Sequence, residues 1–142
     1  MKPVLFMRLV SALTFLHFVG HTIGGVFGKQ APGVQEATVA VMKAGQFQVM
    51  GLTRTFWDFY MGLSVGVSIT LVVEAIVFWQ LGSLAKSDAP RLRPILATFL
   101  VGYLALAVNA YRYLIAPPMI GELLIVLCLG LAILTSRPAR SA

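Results

Sequence analysis

Residues 56–84 read FWDFYMGLSVGVSITLVVEAIVFWQLGSL, and this stretch decides the fold. It contains no lysine or arginine, and its acidic residues are Asp58 in the first turn and Glu74 further along. A helix needs about 20 mostly apolar residues to cross the hydrocarbon core of a bilayer. This run exceeds that length. Three more apolar runs accompany it: residues 4–27 before it, and residues 92–114 and 119–135 after it. Pro94 falls in the first turn of the third run, where a missing N–H is tolerated. The last run is the shortest, about 25 Å at 1.5 Å per residue, enough for one crossing. The expected fold is all-α: an integral membrane four-helix up-down bundle, a single transmembrane domain over residues 1–142.

Composition agrees. The 142 residues are 58% hydrophobic and only 11% charged, with a mean hydropathy of +0.88. A soluble domain carries about 25% charged residues, so the bilayer must supply the apolar environment that water would not. The net charge of +6 does not point to nucleic acid, because most lysines and arginines sit in the short gaps between apolar runs, as topology signals do. The lone cysteine, Cys128, permits no internal disulfide and no cysteine-based metal motif. The first run has a basic start in Lys2 and Arg8, but no small-x-small site follows it and two histidines interrupt it. It reads as a retained helix rather than a cleaved signal peptide.

The basic residues also set an orientation. Lys2, Arg8, Lys86, Arg91, Arg93, Arg137 and Arg140 lie on one side, and Lys29, Lys43, Arg54 and Arg112 on the other. The positive-inside rule then places both termini in the cytoplasm. The long connection, residues 28–53, faces out. It opens on the turn-like KQAPG. Val34, Ala37, Val41 and Ala44 then recur at helical spacing, with Gln35, Glu36 and Lys43 off that line. This predicts a short amphipathic helix on the outer membrane surface or capping the bundle.

The first run ends in HFVGHTIGGVFG, residues 17–28. Thr14, His17, His21, Gly24 and Gly28 share one helix face. Gly20, Gly24 and Gly28 form a small-xxx-small pattern that lets a partner helix approach, and the second run offers Gly62 and Gly66 with Ser64 and Ser68 beside them. The histidines admit three readings: hydrogen bonds to hydroxyls or carbonyls across a helix contact, work in a polar small-molecule site as acid, base or ligand anchor, or joint binding of one metal ion. Residues spaced i, i+4 suit a single ion, but the acidic residue of HExxH is missing. A haem would not take both axial ligands from one helix face.

Other polar groups fall at the same expected depth. RTFWDFY, residues 54–60, opens the second helix, NAYRY with Asn109 and Arg112 closes the third, and Glu122 sits in the first turn of the fourth. His17, His21, Trp57, Asp58, Asn109, Arg112 and Glu122 are therefore expected to line a pocket in the outer half of the bundle. His21 and Asp58 would be its acid–base candidates, and Arg112 would take an anionic head group. Each also has a plainer role. Thr55 and Asp58 have capping-box spacing. Arg54 and Asp58 are placed to pair, as is Arg112 with Glu122 or Asp58. Phe56, Trp57, Phe59, Tyr60, Tyr111 and Tyr113 suit an interfacial belt, as Trp79 does at the inner side. Glu74 stands apart in the inner half, where it pairs with Arg8 or Arg93 or stays protonated, marking a second polar patch or a proton step.

The motifs HxxxHTIGGVFG, RTFWDFYMG, EAIVFWQL and NAYRY resemble a family of small four-helix bacterial membrane proteins of uncharacterised activity, over nearly the whole chain. The resemblance implies a bacterial inner membrane and assigns no activity. The layout is more loosely similar to sterol-isomerase and emopamil-binding proteins, whose membrane bundles hold His, Glu, Asn and Trp around an apolar substrate; no residue role carries over. Three functions stay open: a binding or enzymatic site for an apolar or amphipathic small molecule, an assembly helper packing partner helices or a second copy through Gly20, Gly24 and Gly28, and a metal-binding membrane protein using His17 and His21.

Overall fold

The structure is a computed structural model that describes residues 2–136. Its elements are α1 (Lys2–Gly20), α2 (Val34–Ala44), β1 (Gln46–Val49), β2 (Leu52–Thr55), α3 (Phe56–Asp88), α4 (Arg93–Tyr113) and α5 (Ala116–Thr135). A π-helical turn, His21–Val26, prolongs α1, and a 3-10 turn, Ala89–Leu92, joins α3 to α4. The expected basic residues Arg137 and Arg140 lie outside the described residues.

Three helical runs are long and apolar enough to cross a membrane: Lys2–Val26, Phe56–Tyr113 and Ala116–Thr135. The middle run has 58 residues, about 87 Å if straight, nearly three times the ~30 Å hydrocarbon core. It does not run straight. Pro90 lies within the 3-10 turn and Pro94 in the first turn of α4, and beyond them the chain doubles back. The Phe78 ring lies 4.7 Å from that of Phe99, and Glu74 meets Tyr103, so the paired positions move in opposite directions along α3 and α4. The second and third expected spans are thus separate helices. The fourth begins three residues earlier than expected, with a proline in its first turn.

The chain divides into two compact units, Met1–His17 with Leu71–Ala142, and Phe18–Thr70. The first has one core drawn from four helices: Met7 and Val10 of α1, Phe78 and Leu81 of α3, Leu96 and Tyr103 of α4, and Ile125 and Leu129 of α5. Arg8 fastens α1 to α3. Its guanidinium donates to the Trp79 carbonyl at 2.9 Å and to Ser83 Oγ at 3.0 Å, and it stacks 3.4 Å from the centre of the Trp79 ring. Ser11 Oγ donates to the Ala75 carbonyl at 2.7 Å. The outward faces are as apolar as the core: Val101 is 64% exposed and Leu127 58%.

The second unit holds the end of the first helical run, α2, the hairpin and the start of α3. The hairpin departs from the all-α expectation. Gln46, Phe47, Gln48 and Val49 alternate polar and apolar, which is strand periodicity, and they pair antiparallel with Leu52–Thr55 in the register Gln46 to Thr55 and Val49 to Leu52. Met50 and Gly51 make the turn with φ of 50° and 81°, the signs a two-residue hairpin turn requires. Phe47 holds the hairpin on α3, with its ring 4.9 Å from Phe56 and 5.7 Å from Phe59.

Candidate functional site

Within the second unit, the π-helical turn begins at His21. Phe27 N–H bonds the Thr22 carbonyl, five residues back, at 3.0 Å. Such wide turns gather at functional positions. Here the turn delivers two neighbouring side chains to one hydroxyl. His21 Nδ1 lies 3.1 Å from Ser68 Oγ, and Thr22 Oγ1 donates to the same Oγ at 2.9 Å. Ser68 is buried and His21 half-buried. At His21 this is a hydrogen bond to a hydroxyl across a helix contact, one of the three arrangements the histidines admit. The glycines do not make the expected seam. A methyl added at Gly20, Gly24, Gly62 or Gly66 would meet nothing within 4 Å. Only Gly28 is forced by space, since its Cβ would collide with the Gly24 carbonyl.

Beside this clasp is a cleft of about 400 Å³. Gly24, Gly25 and Gly28 form one wall, where the absence of side chains leaves the space open. Lys29 and Gln30 of the connection form its rim, and Gln35, Thr38, Val39 and Met42 of α2 face it. Trp57 and Tyr60 close it from α3, their rings 5.3 Å apart and stacked, and Lys43 Nζ sits 4.9 Å from the Trp57 ring centre. The cleft thus combines a cation, amides, a hydroxyl, two aromatic rings and apolar walls. The α2 surface used is not the one periodicity singles out. Met42 and Val39 are half-buried; of the periodic positions Val34 also lines the cleft, while Val41, 72% exposed, does not.

Asp58 does not reach into that space. Its carboxylate accepts the Thr55 N–H at 2.7 Å, and its own N–H donates to Thr55 Oγ1 at 3.1 Å. This is a closed capping box, fully exposed. Arg54 donates to the Thr53 carbonyl instead of pairing with Asp58. Of the residues expected to bind a ligand, Trp57 lines the cleft and His21 stands behind it, its Cδ2 3.8 Å from where a Gly25 methyl would sit.

The remaining expected residues belong to the first unit. Asn109 and Arg112 are exposed, and Arg112 forms no ion pair with Glu122. Asp88 and Arg91 form an ion pair at 3.0 Å on the surface. His17 is half-buried one turn beyond Thr14. Glu122 is 6% exposed, with Oε2 buried and unpartnered. Glu74 pairs with neither Arg8 nor Arg93. It accepts the Tyr103 hydroxyl at 2.5 Å, and Thr14 Oγ1 lies 3.5 Å from that hydroxyl. Tyr103, which sequence reading passed over, is the polar centre of this core. Among the described residues, no three His, Cys, Asp or Glu side chains are grouped to hold a metal ion. The chain matches no family model, no curated protein and no solved structure.

Proposed function

We propose that this chain is a multi-pass protein of the bacterial inner membrane, an up-down four-helix bundle with both termini in the cytoplasm, that binds an amphipathic small molecule in the cleft of its Phe18–Thr70 unit. The observation that carries the reading is the cleft itself. Its volume of about 400 Å³ falls in the range of small-molecule sites, about 300–1,000 Å³. Its lining suits a ligand with two characters. Trp57, Tyr60, Met42 and Val39 offer flat and aliphatic contact. Lys29, Gln30, Gln35 and Thr38 offer a cation and hydrogen-bonding groups for a polar, preferably anionic, head. The membrane placement is supported by the three apolar helical runs and the apolar outward faces. The family resemblance supports the bacterial inner membrane.

The test is native mass spectrometry of the chain purified in mild detergent, wild type beside Gly24→Phe. A Cβ at Gly24 meets nothing, so the phenyl ring fills the cleft without disturbing the fold. A bound small molecule present in the wild type and absent in G24F supports the reading. The bare mass of each chain, with no adduct on either protein, counts against it.

A second reading, an assembly helper, rests on the open glycines. Gly20 and Gly24 on the first run and Gly62 and Gly66 on α3 have free space over their Cα atoms. Such faces accept a partner helix or a second copy at close range.

A further inference from the structure

We propose that α1 and α3 of the first unit hold one anionic phospholipid, its phosphate on Arg8 and one acyl chain in the groove beside Trp79. The site stands apart from the cleft, uses other residues and rests on the membrane placement proposed above. The groove has a volume of about 330 Å³ and is lined by Ser11, Ala12, Phe15, Ala75, Ile76 and Trp79. Its lining is apolar in effect, because the Ser11 hydroxyl is already spent on the Ala75 carbonyl at 2.7 Å. Phe15, Ile76 and Trp79 are each about half exposed, so the groove opens on the outward, lipid-facing surface.

Arg8 supplies the charge at one end. Its guanidinium lies 3.4 Å from the centre of the Trp79 ring, the same ring that lines the groove. It donates to the Trp79 carbonyl and to Ser83 Oγ. Both acceptors are neutral, so neither cancels the positive charge. A guanidinium has five N–H donors, and these bonds use two. Its stem is held as well. A methyl at Gly82 would meet Met7 Cβ at 3.3 Å and Arg8 Nε at 3.5 Å, so a glycine is what lets Arg8 lie across α3. A guanidinium fixed in advance in this way suits a phosphate. The direction of the groove fits too. Arg8 meets Trp79 and Ser11 meets Ala75, so the two helices run antiparallel here. From Arg8 to Phe15 the groove extends about 10 Å at 1.5 Å per residue, away from the charged end and along the apolar length of both helices. That is the course an acyl chain takes from its phosphate. Lys86, exposed one turn beyond Ser83, adds a cation at the same end, whereas Asp88 is engaged by Arg91 at 3.0 Å. An uncharged apolar ligand would fill the groove and leave the guanidinium unused.

The experiment reads Trp79 fluorescence in the full chain carrying Trp57→Phe, which leaves Trp79 as the sole indole. The protein is reconstituted into vesicles with rising mole fractions of chain-brominated phosphatidylglycerol or, separately, of phosphatidylcholine with the same brominated chains. Half-quenching should come at an about fivefold lower mole fraction of the anionic lipid, the worth of one cation at an anionic membrane surface. Arg8→Gln should abolish that preference. Because Arg8 also fastens α1 to α3, Ala12→Leu is the second variant. It fills the groove from an exposed position and leaves Arg8 in place, and it too should abolish the preference. Equal quenching by both lipids overturns the site, as does a preference that survives in A12L. A Trp79 shielded from both lipids means that a second copy or another helix covers the groove, which also overturns it. A chain that fails to float with the vesicles overturns the membrane placement and the lipid site with it, whereas one that floats without the preference overturns the site alone.

Discussion

His21 and Ser68 meet at 3.1 Å across two helical segments, and Thr22 shares the same serine oxygen at 2.9 Å. One hydroxyl thus fastens the π-helical turn to α3. This makes His21 a fastening for the wall behind the cleft. Ser68→Ala should lower stability by about 0.6–1.7 kcal/mol, the range for interhelical hydrogen bonds in membranes, and Ser68→Thr should recover part of it. Thermal unfolding in detergent reads both. An S68A protein as stable as wild type would show that the clasp carries no weight.

Asp58 closes a capping box on Thr55, so its loss should act on the helix and not on the cleft. Asp58→Ala should cost about 1 kcal/mol and leave ligand retention unchanged. Loss of ligand with unchanged stability would restore Asp58 to the binding or acid–base role its position in the sequence suggests.

Met50 holds a φ of 50° in the hairpin turn, and its side chain is 99% exposed. It buries nothing there and bears the strain of a left-handed conformation, about 1–2 kcal/mol for a residue with a Cβ. Met50→Asn should therefore stabilise the hairpin by up to about 1 kcal/mol, since asparagine favours this turn position. Hydrogen exchange at the Gln46–Val49 amides should slow. Unchanged or faster exchange would contradict the turn geometry.

Tyr103→Phe removes the donor that Glu74 Oε2 accepts from. The expected loss is about 1–3 kcal/mol, the cost of leaving a buried acceptor unsatisfied. Combining it with Glu74→Leu should recover most of that loss, because no acceptor is then stranded. Additive losses in the double mutant would show that the two groups do not depend on each other.

The proposed orientation is open to a chemical test. In a Cys128→Ser background, Glu36→Cys on exposed α2 should react with a membrane-impermeant maleimide in intact spheroplasts. Protection in spheroplasts with reaction only after lysis would reverse the topology and move the cleft to the cytoplasmic side.

The helical segments were legible because apolar run length is a local property, and the expected limits of residues 56–84 and 92–114 come close to α3 and α4. The capping box at Thr55 and Asp58 was legible for the same reason. The hairpin was not. Its alternation covers only Gln46 to Val49, it follows directly on α2, and Met50-Gly51 lacks the asparagine or aspartate that usually announces such a turn. The polar partner of Glu74 was also hidden, because which helix faces which is set by packing over the whole core. Charge alone offers Glu74 an arginine or a protonated state, whereas the core supplies a tyrosine hydroxyl. The glycine repeat was visible, but a repeat does not name its partner. Lys29, Gln35, Thr38 and Met42 could have been suspected from a glycine-rich helix end followed by a turn and a short helix, a layout that folds α2 back over Gly24 and Gly25.

The most direct test of the cleft uses its own tryptophan. The chain has two tryptophans, so Trp79→Phe leaves Trp57 as the sole indole emitter. A brominated anionic amphiphile titrated into this variant in nanodiscs should quench Trp57 saturably, and Gly24→Phe in the same background should abolish the saturable phase. Quenching that rises without saturation, and equally in both proteins, would mean that Trp57 meets only bulk lipid and would contradict a binding cleft in this unit.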